Sequence, residues 1–93
     1  MKKIEIIVEK RFLDELIDVM SQHGMTNYSV LEILKSHGSV SGDTVDYGFL
    51  SVSKNFFILC VCDEDHVAKF KEHIVPYLKD IDGHVYVSSV EEL

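Results

Sequence analysis

The sequence is poor in positive charge and has no long apolar run. Its nine lysine and arginine residues are outnumbered by sixteen aspartate and glutamate residues, for a formal net charge of −7. A nucleic-acid partner is not expected, because binding a phosphate backbone needs a basic face. The longest apolar run, Phe56 to Cys62, has seven residues, whereas a membrane-spanning helix needs about 20. Since the start of the chain also lacks the apolar core of a signal peptide, the sequence predicts a cytoplasmic protein.

Motifs that carry catalysis are absent as well. The sequence contains no P-loop, no Gly-x-Gly-x-x-Gly, no His-Glu-x-x-His and no nucleophile elbow. No set of acid, base and nucleophile can be assembled from its residues. The sequence therefore favours a protein that binds or regulates, and not an enzyme.

Cysteine is scarce, with only Cys60 and Cys62 present. Because they lie two residues apart on a predicted strand, both point to the same face, and a disulfide between them would be strained. We expect buried thiols that behave as small hydrophobic side chains. The alternative is a metal-responsive trimer of the copper-tolerance type that uses these thiols or the histidines, which are common metal ligands. Further ligands would have to converge on the pair, so no metal site is predicted.

The chain of 93 residues is expected to form a single domain, residues 1–93. Apolar residues alternate in four predicted strands and recur at helical spacing in two predicted helices. Segment 36–53 is rich in serine and glycine and is interpreted as a long loop, a kind of segment that is usually functional. Lys79–Gly83 is interpreted as a turn. The strands are Lys3–Glu9, Tyr28–Lys35, Lys54–Cys62 and His84–Ser88; the helices are Arg11–His23 and one that begins at Asp63 and kinks or ends near Pro76.

The order β-α-β-loop-β-α-β is that of the ferredoxin-like fold. It predicts an α+β domain in which a four-stranded antiparallel sheet carries both helices on one face. The other face also needs cover, because the strand Lys54–Cys62 is almost continuously apolar, which is typical of burial on both sides. Formation of a trimer is one way to cover it.

Three stretches of the chain occur in an order and spacing that is characteristic of one family. They are Lys2-Lys3-Ile4-Glu5-Ile6-Ile7, then Tyr28-Ser29-Val30 followed by Lys35-Ser36-His37-Gly38, and then Asp82-Gly83-His84-Val85-Tyr86-Val87-Ser88. Together they resemble the PII superfamily of signalling proteins over essentially the whole chain. The PII-like members associated with carboxysomes and bicarbonate transport are the most similar.

The resemblance implies a homotrimer that senses a small anionic effector, an adenine nucleotide or bicarbonate, in clefts between subunits, with no cofactor. Segment 36–53 would correspond to the T-loop, which presses on a membrane transporter or enzyme target. The protein would then be peripheral at the membrane through a transporter. A further alternative is a ligand-free protein interaction module, in which segment 36–53 alone binds a target. By position, the resemblance places Ile7, Ser29, Gly38, Lys54, Cys60, Asp82 and Gly83 in the cleft. His37 and His84 join them because each lies beside a glycine and could meet an anion.

The chain departs from the family at the expected phosphate contacts. Ile81 replaces a glycine, His84 replaces a lysine, and Ser39-Val40 replaces an Arg-Gln pair. The sequence ends at Leu93, before the segment that supplies arginines in the family. Because a charge-assisted contact contributes about 1.5–3 kcal/mol, we expect a triphosphate to bind weakly.

Overall fold

The computed structural model describes residues 1–34 and 55–93, together with the backbone of 45–47 and 50–52. Within these residues the chain forms six strands and three helices. In chain order they are β1 (Lys2–Glu9), α1 (Lys10–Gln22), β2 (Ser29–Ile33), β3 (Val45–Tyr47), β4 (Leu50–Val52), β5 (Asn55–Cys62), α2 (Glu64–His73), α3 (Val75–Asp80) and β6 (His84–Ser89).

The main sheet has four strands in the order β2-β5-β1-β6, and each neighbouring pair is antiparallel. β1 and β5 are central, while β2 and β6 form the two edges. This is the strand order of a ferredoxin-like fold, so the predicted fold class is confirmed.

The core lies between the sheet and the helices. Ile4 and Ile6 are fully buried and pair across the strands with Cys60 and Ile58. Burying one such aliphatic side chain contributes about 1.5–3 kcal/mol. All three helices add residues to this same core, so they cover one face of the sheet, as predicted. The helical core residues are Leu16, Met20, Val67, Phe70, Ile74 and Leu78.

Glycine ends α1 where the sequence predicts it. Gly24 adopts a left-handed φ of 79°. Its N–H donates to the Ser21 carbonyl at 3.1 Å, and the Met25 N–H donates to the Met20 carbonyl at 2.9 Å. This pair of bonds is a Schellman motif, which satisfies carbonyls that the helix end leaves open.

The boundaries of α2 also follow local chemistry. The Asp63 side chain caps the helix by accepting the His66 N–H at 2.9 Å, which confirms the predicted start of this helix at Asp63. α2 then stops at His73, as predicted from Pro76. However, the chain does not simply turn there, since α3 runs from Val75 to Asp80 with Pro76 in its first turn. Proline suits the first turn of a helix because its missing N–H is not needed there, so the turn predicted at Lys79–Gly83 is wrong in its first half.

The segment predicted as a loop contains a second, two-stranded sheet. β3 and β4 pair antiparallel, with Val45 opposite Val52 and Tyr47 opposite Leu50. These four residues are good β-formers, and they alternate with smaller or polar neighbours. The loop interpretation gave too much weight to glycine and serine. Residues 35–44, 48–49 and 53–54 lie outside the described residues.

The face of the sheet that points away from the helices carries apolar side chains. Leu31, Val61 and Tyr86 are 50%, 46% and 58% exposed, and Phe57 and Leu59 are half-buried. Strand alternation puts all five on this face, which we call the open face. Among the described helices, none is long and apolar enough to span a membrane.

Candidate functional site

Four of the predicted site residues come together where β6 begins. Ile7 pairs with His84 across β1 and β6, and both side chains are half-buried on the open face. Asp82 and Gly83 immediately precede His84. We call Ile81 to His84 the α3 turn, since it follows that helix directly.

The α3 turn is closed by hydrogen bonds to α3. The Gly83 N–H donates to the Leu78 carbonyl at 2.8 Å, and the Asp82 N–H donates to the Lys79 carbonyl at 3.4 Å. The Ile81 N–H is shared between the Tyr77 and Leu78 carbonyls, each at 3.3 Å. The turn is therefore a second Schellman motif, in which Asp82 has the left-handed conformation with φ 56°.

The electrostatics of the α3 turn are negative. A helix C-terminus carries a partial negative charge from its aligned carbonyls, and the Asp82 carboxylate adds to it. Lys79, in the last turn of α3, is the nearest cation in the sequence and is exposed. On the turn itself, His84 is the only basic residue.

Ser29 lies on the other edge of the sheet. It pairs with Leu59 on β5, whereas His84 lies on β6. Three steps between neighbouring strands separate the two edges, which is about 14 Å at the usual spacing. Around Ser29 there is an open cavity of about 420 Å³, lined by Thr26, Asn27, Tyr28, Ser29, Leu59 and Val61. One protomer therefore presents Ser29 and the α3 turn as two separate surfaces.

Cys60 lies on the helix side of the sheet. It is 3% exposed, so its thiol is in the core and is not next to Ile7 on the open face. Burial and the neighbouring Cys62 raise the pKa of Cys60 to about 11, which disfavours the thiolate, the reactive form of cysteine. Over residues 1–34 and 55–93, no group of three or more histidine, cysteine or acidic side chains could hold a metal ion.

The remaining predicted site residues, His37, Gly38 and Lys54, lie outside the described residues. Sequence reasoning identified the α3 turn but missed its closed form. The signal was available, because a proline in the first turn followed by Asp-Gly six residues later is a helix with its C-terminal cap.

Two histidines of α2, His66 and His73, have structural contacts. The His66 ring Nδ1 lies 2.8 Å from the Asp63 carboxylate. The His73 ring stacks on His23 at the end of α1, with ring centroids 4.5 Å apart and planes within 4°. The first contact lies at the start of α2, and the second joins the ends of α1 and α2.

Comparison with known proteins agrees with the fold described above. The sequence profile of the family described as nitrogen regulatory protein P-II matches residues 1–93. A comparison with curated proteins gives no match.

Similar solved structures include those of CPII, a nitrogen regulatory PII-like protein from Thiomonas intermedia K12. CPII bound to ADP and bicarbonate has a TM-score of 0.76 and 24% identity over 96% of this chain and 84% of that chain. CPII bound to ADP, AMP and bicarbonate has a TM-score of 0.73 and 24% identity, over 96% and 88%. The apo form has a TM-score of 0.72 and 21% identity, over 96% and 87%. At this level of identity, the comparison shows a shared fold.

Proposed function

The chain belongs to the nitrogen regulatory protein P-II family, and on this premise we propose a cytoplasmic regulatory protein that works as a homotrimer. It binds a small anionic effector, an adenine nucleotide or bicarbonate, in clefts between subunits. Effector binding controls a target enzyme or a membrane transporter through segment 36–53. The comparable fold of CPII bound to ADP and bicarbonate supports this choice of ligand.

The separation of the two site surfaces is the observation that carries the proposal. Within one protomer, Ser29 on β2 and the α3 turn before β6 lie at opposite edges of one sheet. A second copy that brings its β2 edge to the α3 turn of the first would bring both surfaces into one cleft. Repeating this head-to-tail contact closes a ring when the rotation between copies allows it, and a trimer is such a ring.

The open face supports the same assembly. Leu31, Val61 and Tyr86 on this face are each about half exposed, and the family relationship indicates further copies of the chain as the cover. A paired Lys3 and Glu5, with Nζ and Oε1 3.1 Å apart, lie among these apolar residues. Oppositely charged side chains held together in this way can enter an interface without leaving an unpaired charge.

The sheet also links the α3 turn to segment 36–53. That segment connects β2 to β5, and its two ends approach each other where Ile33 pairs with Asn55. Asn55 also pairs with Glu9, which is only two residues beyond Ile7. A ligand held at Ile7 and His84 would therefore lie about 7 Å from the base of the segment, close enough to bias its conformation.

Calorimetry with AMP, ADP, ATP, cyclic AMP and bicarbonate, combined with light scattering, tests the proposal. We expect the mass of three chains and one binding event per subunit with at least one of these ligands. A monomeric mass, or no heat with any ligand, would contradict it.

Mixing two variants tests the position of the cleft. Ser29→Glu and His84→Glu each place a carboxylate on one of the two surfaces, and each homotrimer should lose anion binding. After the two are refolded together, about a quarter of the clefts would combine two unaltered surfaces, as expected for a head-to-tail interface, and binding should return to that extent. Ser21→Glu, an exposed change on α1, is the matched control. No recovery in the mixture would show that one chain carries the whole site.

A further inference from the structure

We propose that the α3 turn limits the ligand of the cleft to a nucleoside with a single phosphate, in preference to a di- or triphosphate. This inference rests on the function proposed above, and it concerns the chemistry of the surface formed by Ile81 to His84.

The first step concerns backbone donors. A backbone phosphate site needs successive N–H groups that point into a concavity and are free to bind. In the α3 turn, the N–H groups of Ile81, Asp82 and Gly83 all donate to carbonyls of α3. The turn therefore offers a phosphate no backbone donor from these three residues.

The second step concerns packing, which holds the turn closed. A Cβ built on Gly83 would lie 2.9 Å from Leu78 Cδ2 and 3.4 Å from the Leu78 carbonyl oxygen. Leu78 is fully buried in the core. Leu78 therefore fills the space beside Gly83, and rotating the Gly83 N–H towards a ligand would break its 2.8 Å bond to the Leu78 carbonyl, at the cost of a hydrogen bond.

The third step concerns charge. The end of α3 and the Asp82 carboxylate are both negative, and the turn contains no lysine or arginine. Each phosphate beyond the first adds negative charge to the ligand. With neither a free amide nor a fixed cation on the turn to receive that charge, AMP is favoured over ADP, and ADP over ATP.

Calorimetry on the full chain with AMP, ADP and ATP measures this order directly. We expect AMP to bind at least tenfold more tightly than ATP. His84→Lys places a fixed cation on the turn and should tighten ATP binding about tenfold, in line with one added charge-assisted contact, while AMP changes less. Gln22→Lys adds the same charge at an exposed position on α1 and should leave the AMP to ATP ratio unchanged.

Ile81→Gly provides a second variant, because it restores freedom to the first N–H of the turn. It should also narrow the gap between AMP and ATP, with folding checked by circular dichroism. If the wild-type protein binds ATP as tightly as AMP, the inference is overturned while the proposed function stands. If no adenine nucleotide binds, the proposed nucleotide ligand fails and this inference fails with it.

Discussion

The ends of α1 and α3 share one hydrogen-bond pattern but use glycine for different reasons. Gly24 itself has the left-handed backbone, with φ 79°, and a Cβ there would meet nothing within 4 Å. After α3, Asp82 takes the left-handed position, and Gly83 is needed because a side chain would run into Leu78. Backbone conformation therefore requires the first glycine and space requires the second, so only Gly83 is restricted by a core side chain.

Removal of the Leu78 side chain should have the largest effect on stability, and it tests the difference between the two helix ends directly. Leu78→Ala deletes a fully buried side chain, and we expect a loss of about 2–5 kcal/mol in the free energy of unfolding. Leu34→Ala is the matched control because Leu34 is 68% exposed, and it should change stability by no more than about 0.5 kcal/mol. Urea denaturation of both variants gives the comparison; equal losses would refute it.

Gly83→Ala should have the next largest effect. The new methyl group would lie 2.9 Å from Leu78 Cδ2, and overpacking of this kind costs about 1–3 kcal/mol. In a Leu78→Ala background the cost should fall, with a coupling energy above about 0.5 kcal/mol in a double-mutant cycle. If the free-energy costs of Gly83→Ala and Leu78→Ala are simply additive, Leu78 is not the residue that excludes a side chain at position 83.

Gly24→Ala should cost less stability than Gly83→Ala, and the cause should be backbone conformation and not lack of space. An L-residue held in the left-handed region loses about 1–2 kcal/mol, and there is open space for the methyl group. Gly24→Asn should recover part of the loss, because asparagine tolerates this conformation better. Neither change should couple to Leu78→Ala; measurable coupling would mean that the two helix ends are not independent.

The N-terminal ends of α1 and α2 also differ, and this difference should have the smallest effect on stability. α2 has a side-chain cap from Asp63, whereas Glu9, the N-cap residue of α1, forms no such hydrogen bond with its side chain. Accepting the His66 backbone N–H, and then contact with the His66 side chain, lower the pKa of Asp63. A carboxyl whose pKa is lower in the folded state stabilises the fold above its unfolded pKa and loses this contribution as the pH falls through the folded value.

Asp63→Ala should therefore destabilise the protein most near neutral pH. The difference from wild type should shrink as the pH falls through the acid range. Urea denaturation at several pH values measures it, with Glu92→Ala as a control for an exposed carboxylate outside the helices. A difference that does not depend on pH would mean that ionised Asp63 is not the cap.

Much of the fold was predictable because it follows from local patterns. The alternation of Ile4 and Ile6 marks a half-buried strand, and Asp63 and Gly24 mark helix boundaries through chemistry that acts over a few residues. α3 was missed because Pro76 both ends one helix and suits the start of another. The β3–β4 sheet was missed because the glycine and serine residues of segment 36–53 are typical of a loop.

The site was predictable only in part, because its residues are joined by the sheet and not by the sequence. The contact of Ile7 with His84 depends on the register of β1 and β6, which local patterns do not give. The resemblance placed Cys60 in the cleft, but the parity of β5 points its side chain into the core. The closed α3 turn depends on how Leu78 packs, and no motif records that.

The central position of β1 has a consequence for how the protein is made. β1 leaves the ribosome before β5 and β6, which are its neighbours in the sheet, and its residue Ile4 pairs with Cys60 and Val87. Contacts that close such long stretches of chain form slowly, and chains are completed from the N-terminus. A ribosome stalled before Asn55 would hold a nascent chain in which β1 has neither of its partner strands.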